Sequence, residues 1–124
     1  MTRTVLIVED TDTCSDVLEM ALLAVPGIHI HSAVTAEEAL EYLDGREICA
    51  LITDLNLPRM DGFELIERVR GRPGQTNLPI LVISGDTDPR TPERVRRLGA
   101  NAFFTKPYSP GEVRQKLEQL IHGT

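Results

Sequence analysis

The stretch ICALITDLN, residues 48–56, decides the fold of this chain. Its five apolar residues, 48–52, form an uninterrupted run that is typical of a strand buried on both faces, as found in parallel sheets covered by helices. Asp54 follows this run and would lie at the carboxyl end of the strand, the edge where open α/β sheets bind ligands. Because Asp is also a common turn residue, the stretch alone leaves open whether Asp54 is a site residue or a turn residue.

Composition and charge place the chain among ordinary globular proteins. Its 124 residues are 41% hydrophobic and 26% charged. These values predict a single domain over residues 1–124 that is large enough to bury a hydrophobic core. The net charge is -6, because 19 acidic residues outnumber 13 basic ones, and no long basic run is present. This balance argues against direct nucleic-acid binding.

Cysteine usage and hydropathy indicate the compartment. Cys14 and Cys49 lie far apart, without the spacing of a metal or redox motif, which favours a reducing cytoplasm. No apolar run approaches the ~20 residues that cross a bilayer, and the amino terminus lacks the pattern of a secretory signal. The prediction is therefore a cytoplasmic protein with no membrane association.

Hydrophobic periodicity predicts five strands alternating with five helices. The predicted strands cover residues 4–8, 28–32, 48–52, 78–83 and 100–105. The predicted helices cover residues 13–25, 36–43, 62–70, 89–98 and 110–121. The first helix is expected to turn Val17, Leu18 and Val25 inward, and the second strand is polar enough for a sheet edge.

This alternation predicts the fold class. Short βα connections call for a parallel sheet with helices on both faces and right-handed crossovers. Five strands are too few for a closed barrel, so the chain is predicted to be a (βα)5 doubly wound α/β protein. The flavodoxin-like strand order 2-1-3-4-5 places the first, third and fourth strands around its switch point.

Polar residues follow four of the predicted strands. They are Glu9, Asp10, Asp54, Ser84 and Lys106. Carboxylates a few ångströms apart repel by about 4 kcal/mol per pair at an effective dielectric constant of 20, so a cation must offset them. The lysine supplies one charge, and Mg2+, which prefers oxygen ligands, would supply the rest. No glycine-rich phosphate loop is present, so a nucleotide is not the expected ligand.

With these residues the chain resembles the receiver (REC) domain of two-component response regulators, the CheY-like superfamily, over residues 4–121. Five short sequence motifs, in the same order and at matching positions, carry the resemblance. They are Glu9-Asp10, the run DLNLPRMDG at 54–62, Ser84-Gly85, Gly99-Ala100 and Lys106-Pro107. One departure is Glu9, where an aspartate is commoner.

The resemblance implies a phosphoacceptor. Asp54 would take a phosphoryl group from a phosphohistidine on a sensor histidine kinase or phosphotransfer protein, with Mg2+ bound. By the same resemblance Asp10 and Asp54 ligate the metal directly, Glu9 acts through water, and Asn56 contributes its backbone carbonyl. The ammonium of Lys106 would share the phosphoryl oxygens with the metal. Such a domain supports its own phosphorylation and dephosphorylation and is not a turnover enzyme.

The resemblance also implies a switch. The hydroxyl of Ser84 would donate to the phosphoryl group, and Phe103, three residues before the strand-end lysine, would turn inward when the serine moves. The alternative for Phe103 is a plain core residue, and Phe104 should face the opposite side. A downstream protein would bind the face of the fourth helix, fifth strand and fifth helix. In the family the bond from Lys106 to the following proline is cis, which is expected here too.

Arginines at 90, 94 and 97 form a stripe on the fourth helix. A charge stripe is usually a solvated face, and the alternative is a site for an acidic partner. No output domain is expected after the fifth helix. Two possibilities stay open: a single-domain regulator, or a receiver excised from a hybrid kinase or multidomain regulator. A monomer and a phosphorylation-dependent dimer are both compatible with the sequence.

Two rival functions stay open at this point. A Mg2+-dependent phosphatase of the haloacid dehalogenase type also uses a strand-end aspartate, but it places a second Asp two residues later, where this chain has Asn56. A phosphorylation-independent docking module is the other rival. The small polar Asn56 and Asp86 leave room for an attacking water, which predicts fairly quick self-dephosphorylation.

Overall fold

A five-stranded parallel sheet forms the centre of the molecule in the computed structural model, which describes residues 3–10 and 12–122. The side chains of residues 12–15 and 122 lie outside the description. The strands are β1 Arg3–Val8, β2 Ile28–Ala33, β3 Ala50–Asp54, β4 Ile80–Ser84 and β5 Ala102–Thr105. The helices are α1 Asp12–Leu22, α2 Ala36–Leu43, α3 Gly62–Arg70, α4 Thr91–Leu98 and α5 Pro110–His122.

The strand order is β2-β1-β3-β4-β5, with every pair parallel, which confirms the predicted fold class. Two hydrophobic clusters cover the two faces of the sheet. One packs α2, α3 and α4 against one face, and the other packs α1 and α5 against the opposite face. β2 is the partly exposed edge strand that was predicted. Within the described residues, no helix has both the length and the apolar character that crossing a bilayer requires.

The central strands differ from the prediction at their ends. β3 begins at Ala50, two residues later than predicted, and it extends through Asp54. All five residues of β3 are buried, as expected for a strand covered on both faces. β4 begins at Ile80 instead of residue 78, because Pro79 has no N–H group with which to join the ladder.

The first helix is shorter than predicted. It ends at Leu22, and Val25 closes a tighter turn by donating its N–H to the Leu22 carbonyl at 2.9 Å. Pro26 follows, and the residue before a proline is disfavoured in the helical conformation, so the helix cannot continue. Leu18 and Val25 are buried, as predicted. The prediction for Val17 is wrong, because this residue is 51% exposed.

The junction between α4 and β5 also corrects the sequence prediction. α4 begins at Thr91, two residues later than predicted, and β5 begins at Ala102 instead of residue 100. Gly99 ends α4 in the left-handed region, with φ +111°, and the N–H of Ala100 donates to the Val95 carbonyl at 2.9 Å. Because this amide closes the helix, it is not available to the sheet.

Candidate functional site

Polar side chains collect at the carboxyl edge of the sheet because all five strands run in the same direction. Glu9 directly follows β1, Asp54 ends β3 and Ser84 ends β4. These three side chains are buried, with at most 3% of each residue exposed. Lys106 directly follows β5 and completes the group.

Three acidic side chains form a cluster at this edge. One carboxylate oxygen from each of Glu9, Asp10 and Asp54 lies within 4.8 Å of the others. Two of the three residues are buried, and Asp10 is exposed. Hard oxygen donors of this kind, open to solvent on one side, fit the preference of Mg2+ for one or two carboxylates plus water.

The Lys106 ammonium bridges the two buried carboxylates. Its Nζ donates to Asp54 Oδ2 at 2.6 Å and to Glu9 Oε2 at 3.0 Å. Burial by itself lowers the pKa of Lys106, but the hydrogen bonds and charges of the two carboxylates outweigh burial and hold that pKa above its ordinary value. Since charge-assisted hydrogen bonds are the strong ones, this bridge fixes the lysine at the site.

The backbone sets the position of the lysine. The N–H of Lys106 donates to the carbonyl of Ser84 at 2.8 Å, which holds the ends of β5 and β4 together. The peptide bond from Lys106 to Pro107 is cis, as the resemblance implied.

The Asp54 carboxylate is held from two sides. Its Oδ2 accepts the lysine, and its Oδ1 accepts the backbone N–H of Asn56 at 3.1 Å. The loop then folds back, so that the N–H of Gly62 donates to the Leu55 carbonyl at 2.9 Å. A Cβ at Gly62 would lie 2.4 Å from the backbone oxygen of Asp54, so only glycine fits this close approach.

Ser84 connects the site to the loop that leads into α4. Its Oγ accepts the backbone N–H of Asp86 at 3.0 Å. The Asp86 carboxylate in turn accepts the hydroxyl of Thr91 at 3.0 Å. Sequence reasoning missed Thr91, although a threonine at the start of a helix shortly after an Asp-rich turn is a signal for such a bond.

The two phenylalanines of β5 lie on opposite faces of the sheet, as strand alternation predicted. Phe103 packs against the hydrophobic cluster that contains Val95 of α4. Phe104 packs against the cluster that contains Val113 of α5. Both rings are partly buried.

The arginine stripe on α4 is largely engaged by neighbouring groups. Arg90 forms an ion pair with Asp88 at 3.0 Å, and Arg97 forms one with Glu93 at 3.2 Å. The guanidinium of Arg94 lies over the ring of Phe63, with its carbon 3.8 Å from the ring centroid. The stripe therefore presents less free positive charge than its sequence indicates.

A doubly wound (βα)5 sheet with three acids and a lysine at its carboxyl edge defines the class of CheY-like signalling domains. The chain belongs to the response regulator receiver domain family, whose model matches residues 5–118. It therefore functions in two-component signalling.

Relatives and solved structures agree with this assignment. The chain is 27% identical over 117 residues to the chemotaxis protein CheY homolog of Campylobacter jejuni, covering 94% of this chain and 90% of the relative. It is 34% identical to a response regulator receiver protein from Pseudomonas putida, with a TM-score of 0.83, covering 100% and 98% of the two chains.

A third comparison supports the fold. The receiver domain of a sensor histidine kinase from Pseudomonas aeruginosa PAO1 is 21% identical, with a TM-score of 0.86, covering 98% of this chain and 99% of that one. That domain has a magnesium ion coordinated in its active-site cleft.

Proposed function

We propose that this chain is a phosphorylation-controlled switch in which Asp54 accepts a phosphoryl group from a phosphohistidine on a sensor histidine kinase or a phosphotransfer protein. One observation carries the proposal: carboxylate oxygens of Glu9, Asp10 and Asp54 converge within 4.8 Å, and Lys106 bridges two of these residues. A carboxylate is a known nucleophile in aspartyl-phosphate formation. Phosphoryl transfer otherwise demands mainly positioning and charge neutralisation, which these neighbours provide.

The donor set fits Mg2+ as the cofactor. Asp10 and Asp54 would hold it through their carboxylates, Asn56 through its backbone carbonyl, and Glu9 through a water molecule. Bound Mg2+ would neutralise charge on the phosphoryl oxygens. The magnesium ion in the cleft of the Pseudomonas aeruginosa receiver domain is consistent with this assignment.

The hydrogen bonds around the Asp54 carboxylate support its role as the acceptor. Its two oxygens are fixed by the amide of Asn56 and the ammonium of Lys106, so the group does not rotate freely. One carboxylate oxygen forms a bond to phosphorus while the bond from phosphorus to the donor nitrogen breaks, and the electron pair of that bond stays on the donor imidazole. Lys106 and the hydroxyl of Ser84 then donate hydrogen bonds to the phosphoryl oxygens.

The phosphoryl group provides the cause of the switch. It adds about -1.5 to -2 charges and strong acceptors, which draw Ser84 and Lys106 toward it. Phe103 turns inward as the serine moves, and the surface of α4, β5 and α5 changes for a downstream protein partner. The net charge of -6 argues against direct binding to nucleic acid or to an anionic membrane, and we propose that the chain acts in the cytoplasm through protein contacts. It operates as a monomer or as a phosphorylation-dependent dimer, either alone or as the receiver of a longer protein.

The direct test is labelling with acetyl phosphate. In the presence of Mg2+, intact-mass spectrometry should show the gain of one phosphoryl group, and a chelator should prevent it. Asp54→Asn should abolish labelling. Asp16→Asn is the matched control, because Asp16 is exposed on α1 outside the acid cluster, and it should label normally. Labelling that persists in the Asp54→Asn variant would overturn the proposal.

A phosphatase of the haloacid dehalogenase type is the alternative that the same edge of the sheet raises. It requires a second acidic group two residues after the nucleophile, and that place holds the exposed Asn56. We therefore expect no useful hydrolysis of p-nitrophenyl phosphate under conditions in which acetyl phosphate labels the chain. Multiple turnovers of p-nitrophenyl phosphate would favour the phosphatase.

A further inference from the structure

A chain of hydrogen bonds leads from the site to the start of α4. Ser84 Oγ accepts the N–H of Asp86 at 3.0 Å, and Asp86 Oδ2 accepts the hydroxyl of Thr91 at 3.0 Å. Asp86 Oδ1 also accepts the N–H of Asp88 at 2.8 Å. One side chain therefore joins the end of β4 to the first residue of α4.

This connection ties the start of α4 to the end of β4. Two other bonds there are local: the N–H of Thr91 donates to the Asp88 carbonyl at 3.1 Å, and the N–H of Arg90 donates to Asp88 Oδ1 at 2.9 Å. The residue that precedes the helix, Arg90, makes no side-chain capping hydrogen bond. Only Thr91 and Val95 of the helix are buried, so the apolar anchor lies one turn further in. Thr91 is 4% exposed, and its hydroxyl is directed at the Asp86 carboxylate.

We infer that Asp86 is a positioning residue that couples Ser84 to the first turn of α4 through Thr91, so that a phosphoryl group on Asp54 loosens the start of that helix. This inference rests on the proposed phosphorylation of Asp54. The expected loosening of α4 follows from two effects of the phosphoryl group on the loop that carries Asp86.

The first effect is competition for Ser84. A serine side chain that moves to donate to a phosphoryl oxygen carries its Oγ away from the N–H of Asp86, and the hydrogen bond between them weakens as it lengthens. The second effect is electrostatic: about -1.5 to -2 added charges beside Ser84 repel the Asp86 carboxylate two residues further on. Both effects displace Asp86, and Thr91 loses its acceptor.

Hydrogen exchange of the backbone amides at Thr91, Arg94 and Val95, followed by NMR with and without acetyl phosphate and Mg2+, tests the coupling. In the wild type, phosphorylation should accelerate their exchange by about three- to tenfold, the equilibrium effect of losing one hydrogen bond. In Thr91→Val, exchange should be fast before phosphorylation and change by less than about twofold afterwards.

Two further variants separate coupling from a general disturbance of the helix. Thr91→Ser keeps the hydroxyl and should restore the acceleration upon phosphorylation. Thr87→Val makes the same chemical change at an exposed position in the same loop and should behave like the wild type. A merely structural role for Thr91 predicts that Thr91→Val accelerates upon phosphorylation as much as the wild type.

The outcomes distinguish this inference from the proposed function. A wild-type chain that gains a phosphoryl group by mass yet shows unchanged exchange in α4 overturns the coupling alone. So does an undiminished response in Thr91→Val. A chain that gains no phosphoryl group overturns the proposed function, and the coupling with it.

Discussion

Lys106 Nζ lies 2.6 Å from Asp54 Oδ2, and the same ammonium lies 3.0 Å from Glu9 Oε2. The lysine thus neutralises part of the acid cluster in which a metal ion is proposed to bind. A divalent ion and this lysine would compete for the same carboxylates.

Replacing the lysine should strengthen metal binding. In Lys106→Met the positive charge is lost while the acid cluster remains, so we expect Mg2+ affinity to rise by about three- to tenfold, equivalent to roughly 1 kcal/mol of relieved charge repulsion in this partly solvated setting. Isothermal titration calorimetry measures the change. Lys116→Met on α5 removes the chain's other lysine and should leave the affinity unchanged. Weaker Mg2+ binding by Lys106→Met would contradict the competition.

The raised pKa of Lys106 predicts a specific pH dependence of stability. Below the ordinary lysine pKa of about 10.4, the group is charged in both the folded and the unfolded chain, and its bridge contributes fully. Above that pH the unfolded chain loses the proton first, so the stabilising contribution declines as pH rises through the folded-state pKa. Urea unfolding of wild type and Lys106→Met should show a stability difference that is constant from pH 8 to about 10 and narrows above it. A difference that widens there would refute the linkage.

The metal itself should stabilise the fold. At a free Mg2+ concentration ten times the dissociation constant, the free energy of unfolding should rise by about 1.4 kcal/mol, since the ion binds the folded state. Asp10→Asn should remove most of this gain, because it deletes one of the three clustered carboxylates. Asp16→Asn should retain it. Thermal unfolding with and without Mg2+ measures the gain in stability. Equal gains in both variants would show that Asp10 does not bind the metal.

The close approach of Gly62 to the site predicts a stability cost for any side chain there. In Gly62→Ala the new Cβ would meet the Asp54 backbone oxygen at 2.4 Å and the Cα of Leu55 at 2.7 Å. We expect a loss of about 1–3 kcal/mol, the usual cost of overpacking. Gly71→Ala is the matched control, because its nearest neighbour would be the Glu67 carbonyl at an ordinary 3.5 Å. Chemical denaturation should therefore show a small effect at Gly71, and equal losses at both positions would argue against the clash.

The lifetime of the phosphorylated state should depend on Asn56. Its side chain is exposed beside the phosphoacceptor and leaves room for an attacking water, so the wild type should lose its phosphoryl group quickly. Asn56→Met fills that room with an apolar group and should lengthen the lifetime several-fold. Asn77→Met, at an exposed loop residue, should not. Phosphate release after removal of acetyl phosphate measures the rates, and a wild-type lifetime of many hours with Mg2+ would contradict the prediction.

Much of the fold was predictable because its signals are local. Alternating apolar runs set the element order, and α2 spans Ala36–Leu43 as predicted. Errors fell where a neighbouring segment decided the outcome. Periodicity predicts that Val17 faces inward, but it lies outside the strip that α1 buries. Residue 100 is predicted in a strand, but its amide closes α4.

The sequence by itself determined the βα alternation and the identity of the polar residues that follow each strand, because periodicity and strand direction bring those residues to one edge of a parallel sheet. Only the tertiary structure decided which polar atoms pair there. Lys106 reaches Glu9 across 97 positions of the chain, and the hydroxyl of Thr91 donates to Asp86. Such pairings depend on strand register, on the twist of the sheet and on the last ångströms of side-chain packing, which no local pattern of residues encodes.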